Sequence, residues 1–189
     1  MRKLGMLAVG LALLVGLWAI GSTLATAQVY SNDPQIALMD NCDAAAFPAG
    51  LCVPVSHRSD VGFAEFVALL YSPLIKTVVG HPSWRIEPSY LDIRVGQTLK
   101  VANKGADSHT FTEVAAFGGG VVPVLNGVSD GGPFVGVPDP LTVAPECAKI
   151  TPSDVLAPGQ AAAVTPASGT HKFQCCIHPW MRAVVGVGN

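Results

Sequence analysis

Basic residues are scarce and scattered in this chain: 11 of 189 are Lys or Arg, against 13 Asp or Glu. No basic run and no basic patch interleaved with aromatics occurs in it, which argues against a nucleic-acid partner. Methionine is sparse too, with four in all and only Met39 and Met181 beyond residue 27. Internal repeats and low-complexity tracts are absent. Hydrophobic residues nevertheless make up 50% of the chain, a composition that excludes disorder.

The chain opens MRKLGMLAVGLALLVGLWAIGSTLATA. Arg2 and Lys3 precede an uncharged run from Leu4 to Gly21, and Ala25, Thr26 and Ala27 follow. This is the layout of a secretory signal, cut after Ala27. An uncleaved leader would instead anchor the protein in a membrane, since about 18 apolar residues approach a bilayer's width. A periplasmic or secreted location is expected, and residues 28 to 189 then form one mildly acidic domain-sized chain.

That chain divides into an N-terminal extension over residues 28–80 and a β-rich domain over 81–189. In the extension, SDVGFAEFVALLY sets Phe63, Phe66, Val67 and Leu70 on one face at helical spacing. A helix near 60–72 is expected, capped by Ser59 or Asp60. From Trp84 the text becomes short runs bounded by turn residues: WRIEPSYLDIRV, QTLKVAN, HTFTEV, and later QAAAVT, HKFQCC and RAVVGV. That cadence points to an all-β sandwich or barrel. Between Gly118 and Cys147, 12 of 30 residues are Gly or Pro, and a long surface loop with neither helix nor strand is expected there. TPSDV at 151 to 155 reads as one helical turn with Thr151 as cap and Pro152 in first position.

Near the end stands FQCCIHPWM. Successive side chains of a strand point to opposite faces, so Cys175 and Cys176 cannot share a partner on one side. Phe173 is the residue most suited to the core, and Cys175 has its parity. Cys175 should therefore point inward and Cys176 away. Two residues on comes His178, which the turn after the strand would bring back toward the thiol, and Pro179 holds the backbone of His178 extended. Met181 follows three residues later. Thiolate, imidazole and thioether converging from one loop suit a soft transition metal, above all copper.

A second imidazole must come from elsewhere. His171 lies four residues from Cys175, about 13 Å along a strand, too far to share an ion. His57 and His81 lie in turn-like text. His109, opening a strand directly after NKGAD, is the best placed. Three other readings compete: a packing cluster without metal, a structural zinc site, for which a thioether is a poor ligand, and a Cys-His nucleophile lacking an orienting third group. Glu113 shares the inward parity of His109 and Phe111, which fits only if the strand ends before it.

SHTFTEV followed far downstream by FQCCIHPWMRAVVGV resembles the type 1 blue copper proteins, the cupredoxins. The likeness covers roughly residues 84 to 189, and the closing loop is most similar to that of amicyanin, with plastocyanin's a longer version. The resemblance implies a Greek-key β-sandwich, here with an added N-terminal helix and a long Gly/Pro-rich loop. It implies one copper per chain, with His109, Cys175 and His178 as trigonal ligands and Met181 as the weak axial one. Many cupredoxins have Asn after the first histidine. Here it is Thr110, which puts the hydrogen bonding around the sulfur in question.

Electron transfer through a mononuclear type 1 copper is the function so implied, by a monomer whose redox partners the sequence does not name. His178 would be the exit, with Pro179, Trp180 and the Gly-rich loop as an apolar docking face. Copper carriage or storage in the periplasm without redox turnover is the alternative, disfavoured by so few methionines. An enzyme is not expected: five histidines are too few for a trinuclear copper centre, and adjacent cysteines cannot bridge two coppers from one side. With Cys175 on the metal, four of the five cysteines remain for two disulfides in an oxidising compartment. Cys42 with Cys52, and Cys147 with Cys176, are the pairings expected. Other connectivities stay open, and a vicinal Cys175 to Cys176 bond would destroy the site.

Overall fold

A computed structural model describes residues 30–41, 45–48, 61–129 and 142–189 of the chain. The leader and the expected Cys42–Cys52 bridge lie outside these. In chain order the main elements are β1 (Gln35–Asp40), α1 (Phe63–Leu70), β2 (Trp84–Glu87), β3 (Tyr90–Arg94), β4 (Leu99–Asn103), β5 (His109–Thr110) and β6 (Thr112–Val114). Then come α2 (Pro123–Ser129), β7 (Val155–Leu156), β8 (Ala161–Val164), β9 (Gly169–Gln174) and β10 (Arg182–Gly188).

The strands form two four-stranded sheets, ordered β2-β1-β4-β8 and β3-β10-β9-β6, with β5 and β7 as a separate pair. Alternation explains how the sheets meet. Ile36 and Leu38 of β1, Ile86 of β2, and Leu99 and Val101 of β4 point inward from one sheet. Ile93, Phe173, Ala183, Val185 and Val187 come from the other, and all belong to one buried cluster. The fold is thus a β-sandwich, held by side chains each contributing about 1.5–3 kcal/mol on burial.

Three local expectations are corrected. No strand is expected before Trp84, yet β1 lies in the middle of the first sheet, antiparallel to β2 and parallel to β4. Its QIALMD is too short to stand out from its surroundings; its partners, far along the chain, make it a strand. Second, the Gly/Pro-rich segment does hold a helix, α2. Pro123 occupies its first position, where a proline gives up no hydrogen bond. The Asn126 side chain then ties it down, accepting from Gly120 N at 2.7 Å and donating to Gly120 O at 3.0 Å. Third, α1 starts at Phe63 with Gly62 as N-cap, and the expected caps Ser59 and Asp60 lie outside the described residues.

The helix lies on the core as its spacing required. Phe66 and Leu70 are buried, and Phe63 and Val67 pack alongside. Phe66 sits 4.6 Å from the ring of Trp84 and 6.2 Å from that of Trp180. Behind it, Gly80 has φ of 63°, and a Cβ there would overlap the carbonyl of Trp180. Only glycine lets the chain turn so close to the closing loop. The turn at 151 to 155 also forms as expected: residues Pro152–Asp154 make a helical turn, and Asp154 accepts from Thr151 N at 2.7 Å.

His81, buried beside α1, is committed to its neutral form. Its Nε2 donates to Phe66 O at 3.2 Å while its Nδ1 accepts from Ser83 N at 3.1 Å. Burial pushes its pKa down, against the bond to Phe66, from 6.5 to about 4. A group depressed on folding binds its proton more readily in the unfolded chain. Stability should therefore drain away as pH falls from about 6.5 to about 4, by about 3 kcal/mol at the lower end. Urea unfolding of the metal-free protein across this range should show the loss, and His81→Gln, which keeps a donor and an acceptor, should flatten it.

Candidate metal centre

The two adjacent cysteines part company as strand geometry demands. β9 ends at Gln174, and Cys175 turns into the main core with Phe173. Cys176 joins a second cluster with Val114, Ala144 and Cys147. There it forms a disulfide with Cys147, while Cys175 stays a free, buried thiol. No vicinal bond forms. The sulfur of Cys175 is thus left available by the neighbour that takes the other face.

The loop then folds back on itself. Met181 O accepts from Cys175 N at 3.0 Å, and Met181 N donates to His178 O at 2.9 Å. This closure brings His178 beside the thiol, with Nδ1 3.8 Å from Cys175 Sγ. From the opposite side β5, paired with β7, delivers His109, whose Nδ1 is also 3.8 Å from the sulfur. The two Nδ1 atoms are 3.2 Å apart. All three side chains are buried. The side chain of Met181 is fully buried in the same core cluster as Cys175.

The triangle has the size of a metal site. Bonds of about 2.0 Å to each imidazole nitrogen and about 2.3 Å to a thiolate, meeting near 120°, would span about 3.5 Å between nitrogens and about 3.7 Å from nitrogen to sulfur. The donor set of two imidazoles and one thiolate fits an ion in trigonal coordination, the arrangement copper adopts with a weak axial thioether.

The electrostatics prepare the thiol for this. Burial disfavours a thiolate at Cys175, but the His109 and His178 side chains outweigh it and hold the pKa well below the ordinary 9.0. Two backbone amides, Thr110 N and His178 N, point at the sulfur from 3.4 Å. Replacement of Asn by Thr after His109 therefore leaves the backbone donor in place. The Thr110 hydroxyl adds a role of its own by accepting from Cys176 N at 2.8 Å.

One group at the site is not among the residues expected from the sequence. Asp40, the last residue of β1, accepts from His109 Nε2 at 2.6 Å, with both side chains fully buried. Burial opposes charge on either partner. For His109 the hydrogen bond to Asp40 and the nearby Cys175 sulfur prevail, raising its pKa to about 9. For Asp40 the hydrogen bonds from His109 and from the Asp107 and Ala106 amides prevail and lower it. The signal was present in the sequence, since Ile36, Leu38 and Asp40 share one parity and a carboxylate stands where a core residue belongs. Asp107, also unforeseen, places Oδ2 3.5 Å from His178 Nε2 and is one-third exposed.

The remaining histidine of the strands is placed elsewhere. His171 bonds Glu113 at 2.6 Å and Ala167 O at 2.8 Å on the surface. Glu113 is exposed because β5 stops at Thr110 and β6 restarts at Thr112, resetting the alternation. Of the expected docking face, however, the closing-loop residues are not at the surface, while residues 130–141 of the Gly-rich loop lie outside the described residues. His178 is 5% exposed, Pro179 is buried and Trp180 is fully buried. The rings of Trp84 and Trp180 lie tilted, 5.4 and 5.5 Å from that of His178, with Phe66 of α1 behind them. Trp84 of β2 thus packs against the imidazole that the sequence had left open, and Phe66 of α1 packs against both indoles.

With this geometry in view, the solved structures similar to the chain can be placed. They are cupredoxins. A purple cupredoxin from Nitrosopumilus maritimus is 18% identical, with a TM-score of 0.39 over 82% of this chain and 100% of that one. A reduced amicyanin variant is 24% identical, with a TM-score of 0.32 over 53% of this chain and 70% of that one. A copper-containing nitrite reductase from Thermus scotoductus is 18% identical, with a TM-score of 0.34 over 56% of this chain but 20% of that one. No family model and no curated protein matches the chain. At such identities and TM-scores these likenesses carry no argument, and the metal-site reading rests on the donor atoms of this chain.

Proposed function

We propose that this protein is a cupredoxin-type electron carrier that binds one copper through His109, Cys175 and His178, with Met181 as the weak axial ligand. The carrying observation is the buried triangle of two nitrogens and a sulfur, with sides of 3.2, 3.8 and 3.8 Å. Bound copper would supply a one-electron couple between Cu(II) and Cu(I). The chain contributes rigidity. Asp40 holds one imidazole, the Thr110 and His178 amides face the sulfur, and the Met181 carbonyl pins the backbone of Cys175. Ligands so fixed keep their positions when the charge on the ion changes, which lowers the barrier to exchange of an electron.

Burial supports a carrier over an enzyme or a metal donor. A copper that transforms a substrate needs an open position, and one that hands over its ion needs an exposed ligand. Here the three donors are at most 5% exposed. The Cys147–Cys176 disulfide suits an oxidising compartment, and with the leader-like opening it supports a periplasmic or secreted location. Voltammetry of the copper-loaded protein tests the proposal. A reversible one-electron wave, with copper retained over repeated cycles, is expected. Loss of the ion on reduction, or tight colourless Cu(I) binding with no reoxidation, would instead identify a carrier of copper itself.

A further inference from the structure

We infer that Asp40 is a positioning residue of the metal centre: from the end of β1 its carboxylate fixes the His109 ring with Nδ1 toward the other donors and biases the site toward the divalent ion. This rests on the copper reading above and adds to it a residue 69 positions from the histidine it serves.

The chemistry of the pair fixes the orientation. An ionised carboxylate only accepts, so the 2.6 Å contact requires the hydrogen on His109 Nε2. The lone pair available to a metal is then on Nδ1, the atom facing Cys175 and His178. Asp40 is itself immobilised, because its two oxygens also accept from Ala106 N at 2.6 Å and Asp107 N at 3.0 Å. The loop approaches so closely that a Cβ on Gly105 would overlap the carboxylate. Sequence, strand and loop thus agree on a single position for one oxygen.

The same strand end serves the other imidazole. In the β1–β2 register Asp40 lies opposite Trp84, whose ring packs 5.4 Å from that of His178. The two histidines differ in support, however. Asp107 reaches His178 only at 3.5 Å and is partly exposed, whereas Asp40 is sealed from water. A buried anion acting through the ring makes His109 the stronger donor, and a fixed negative charge favours Cu(II) over Cu(I).

Two variants separate orientation from charge. Asp40→Asn keeps an oxygen that can accept from Nε2 but removes the charge; Asp40→Ala removes both. In Asp40→Ala, Cu(II) affinity should fall by about 10- to 100-fold, the usual loss when such a partner is deleted. In Asp40→Asn, Cu(II) affinity should fall about tenfold more than Cu(I) affinity, raising the reduction potential by about 59 mV. In the metal-free wild type, the Nε2 proton of His109 should give a slowly exchanging low-field NMR signal, retained in Asp40→Asn and lost in Asp40→Ala.

If the ratio of Cu(II) to Cu(I) affinity and the potential stay at wild-type values while only the melting temperature drops, Asp40 is a structural brace and the inference fails. It fails equally if the wild type lacks the protected proton. Should Asp40→Ala not fold, Asp40→Asn still decides through the potential. A wild type that binds no copper would overturn the functional proposal and, with it, the bias toward the divalent ion, while the proton signal would still report whether Asp40 orients His109.

Discussion

Cys175→Ser is expected to abolish the intense visible absorption of the copper-loaded protein, leaving only the weak bands of imidazole-bound copper. Of the donors that meet at the site, this sulfur alone carries a negative charge. Its pKa lies well below 9.0, so it is poised to bind as thiolate. A serine hydroxyl in its place keeps its proton at neutral pH and is a far poorer donor to a soft ion. Copper affinity should drop by more than the roughly 10- to 100-fold lost when an outer partner is removed. Absorption and EPR spectra of the variant with one equivalent of Cu(II) check this. An unchanged intense band would show that the sulfur bound to copper is another one.

The adjacent residue should behave in the opposite way. Replacing Cys147 and Cys176 together by serine opens a loop of sequence separation 29, for which chain entropy assigns about 3–4 kcal/mol. The bridge lies on the far side of the sheet from the metal, in the small cluster with Val114 and Ala144. Stability should therefore fall while the colour persists. Urea denaturation followed alongside the visible band separates the two effects. Substituting both cysteines avoids leaving a lone thiol to attack or bind metal in place of Cys175.

Which parts of this were legible in the sequence follows from where the information lay. The closing loop is local: Cys175, His178 and Met181 fall within seven residues, so strand parity and one turn sufficed to converge Cys175 and His178. Parity also assigned Cys175 and Cys176 to opposite faces, which the two separate buried clusters bear out. His109 was reached by asking which histidine begins a strand, and the structure puts its Nδ1 beside the thiol. The Cys147–Cys176 pairing forms as expected.

Elsewhere the deciding contacts were remote. QIALMD becomes a strand because β2 and β4 arrive on either side, and neither partner is near it in sequence. Asp40 consequently went unseen, although a charge at a core parity was its mark. Burial of Trp180 and His178 could not be read from the loop either, since Phe66 of α1 packs against Trp180 and Trp84 of β2 against His178. α2 is hidden by its glycine and proline content, which argues against a helix unless position is weighed: Pro123 starts that helix where proline is tolerated, and Asn126 anchors it.

Addition of Cu(II) to the purified protein, with visible and EPR spectra recorded through one equivalent and beyond, tests the central claim most directly. The account predicts an intense visible band that grows to one copper per chain, bleaches with ascorbate and returns with ferricyanide. A protein that stays colourless, or that binds copper with no thiolate-derived absorption, would contradict it.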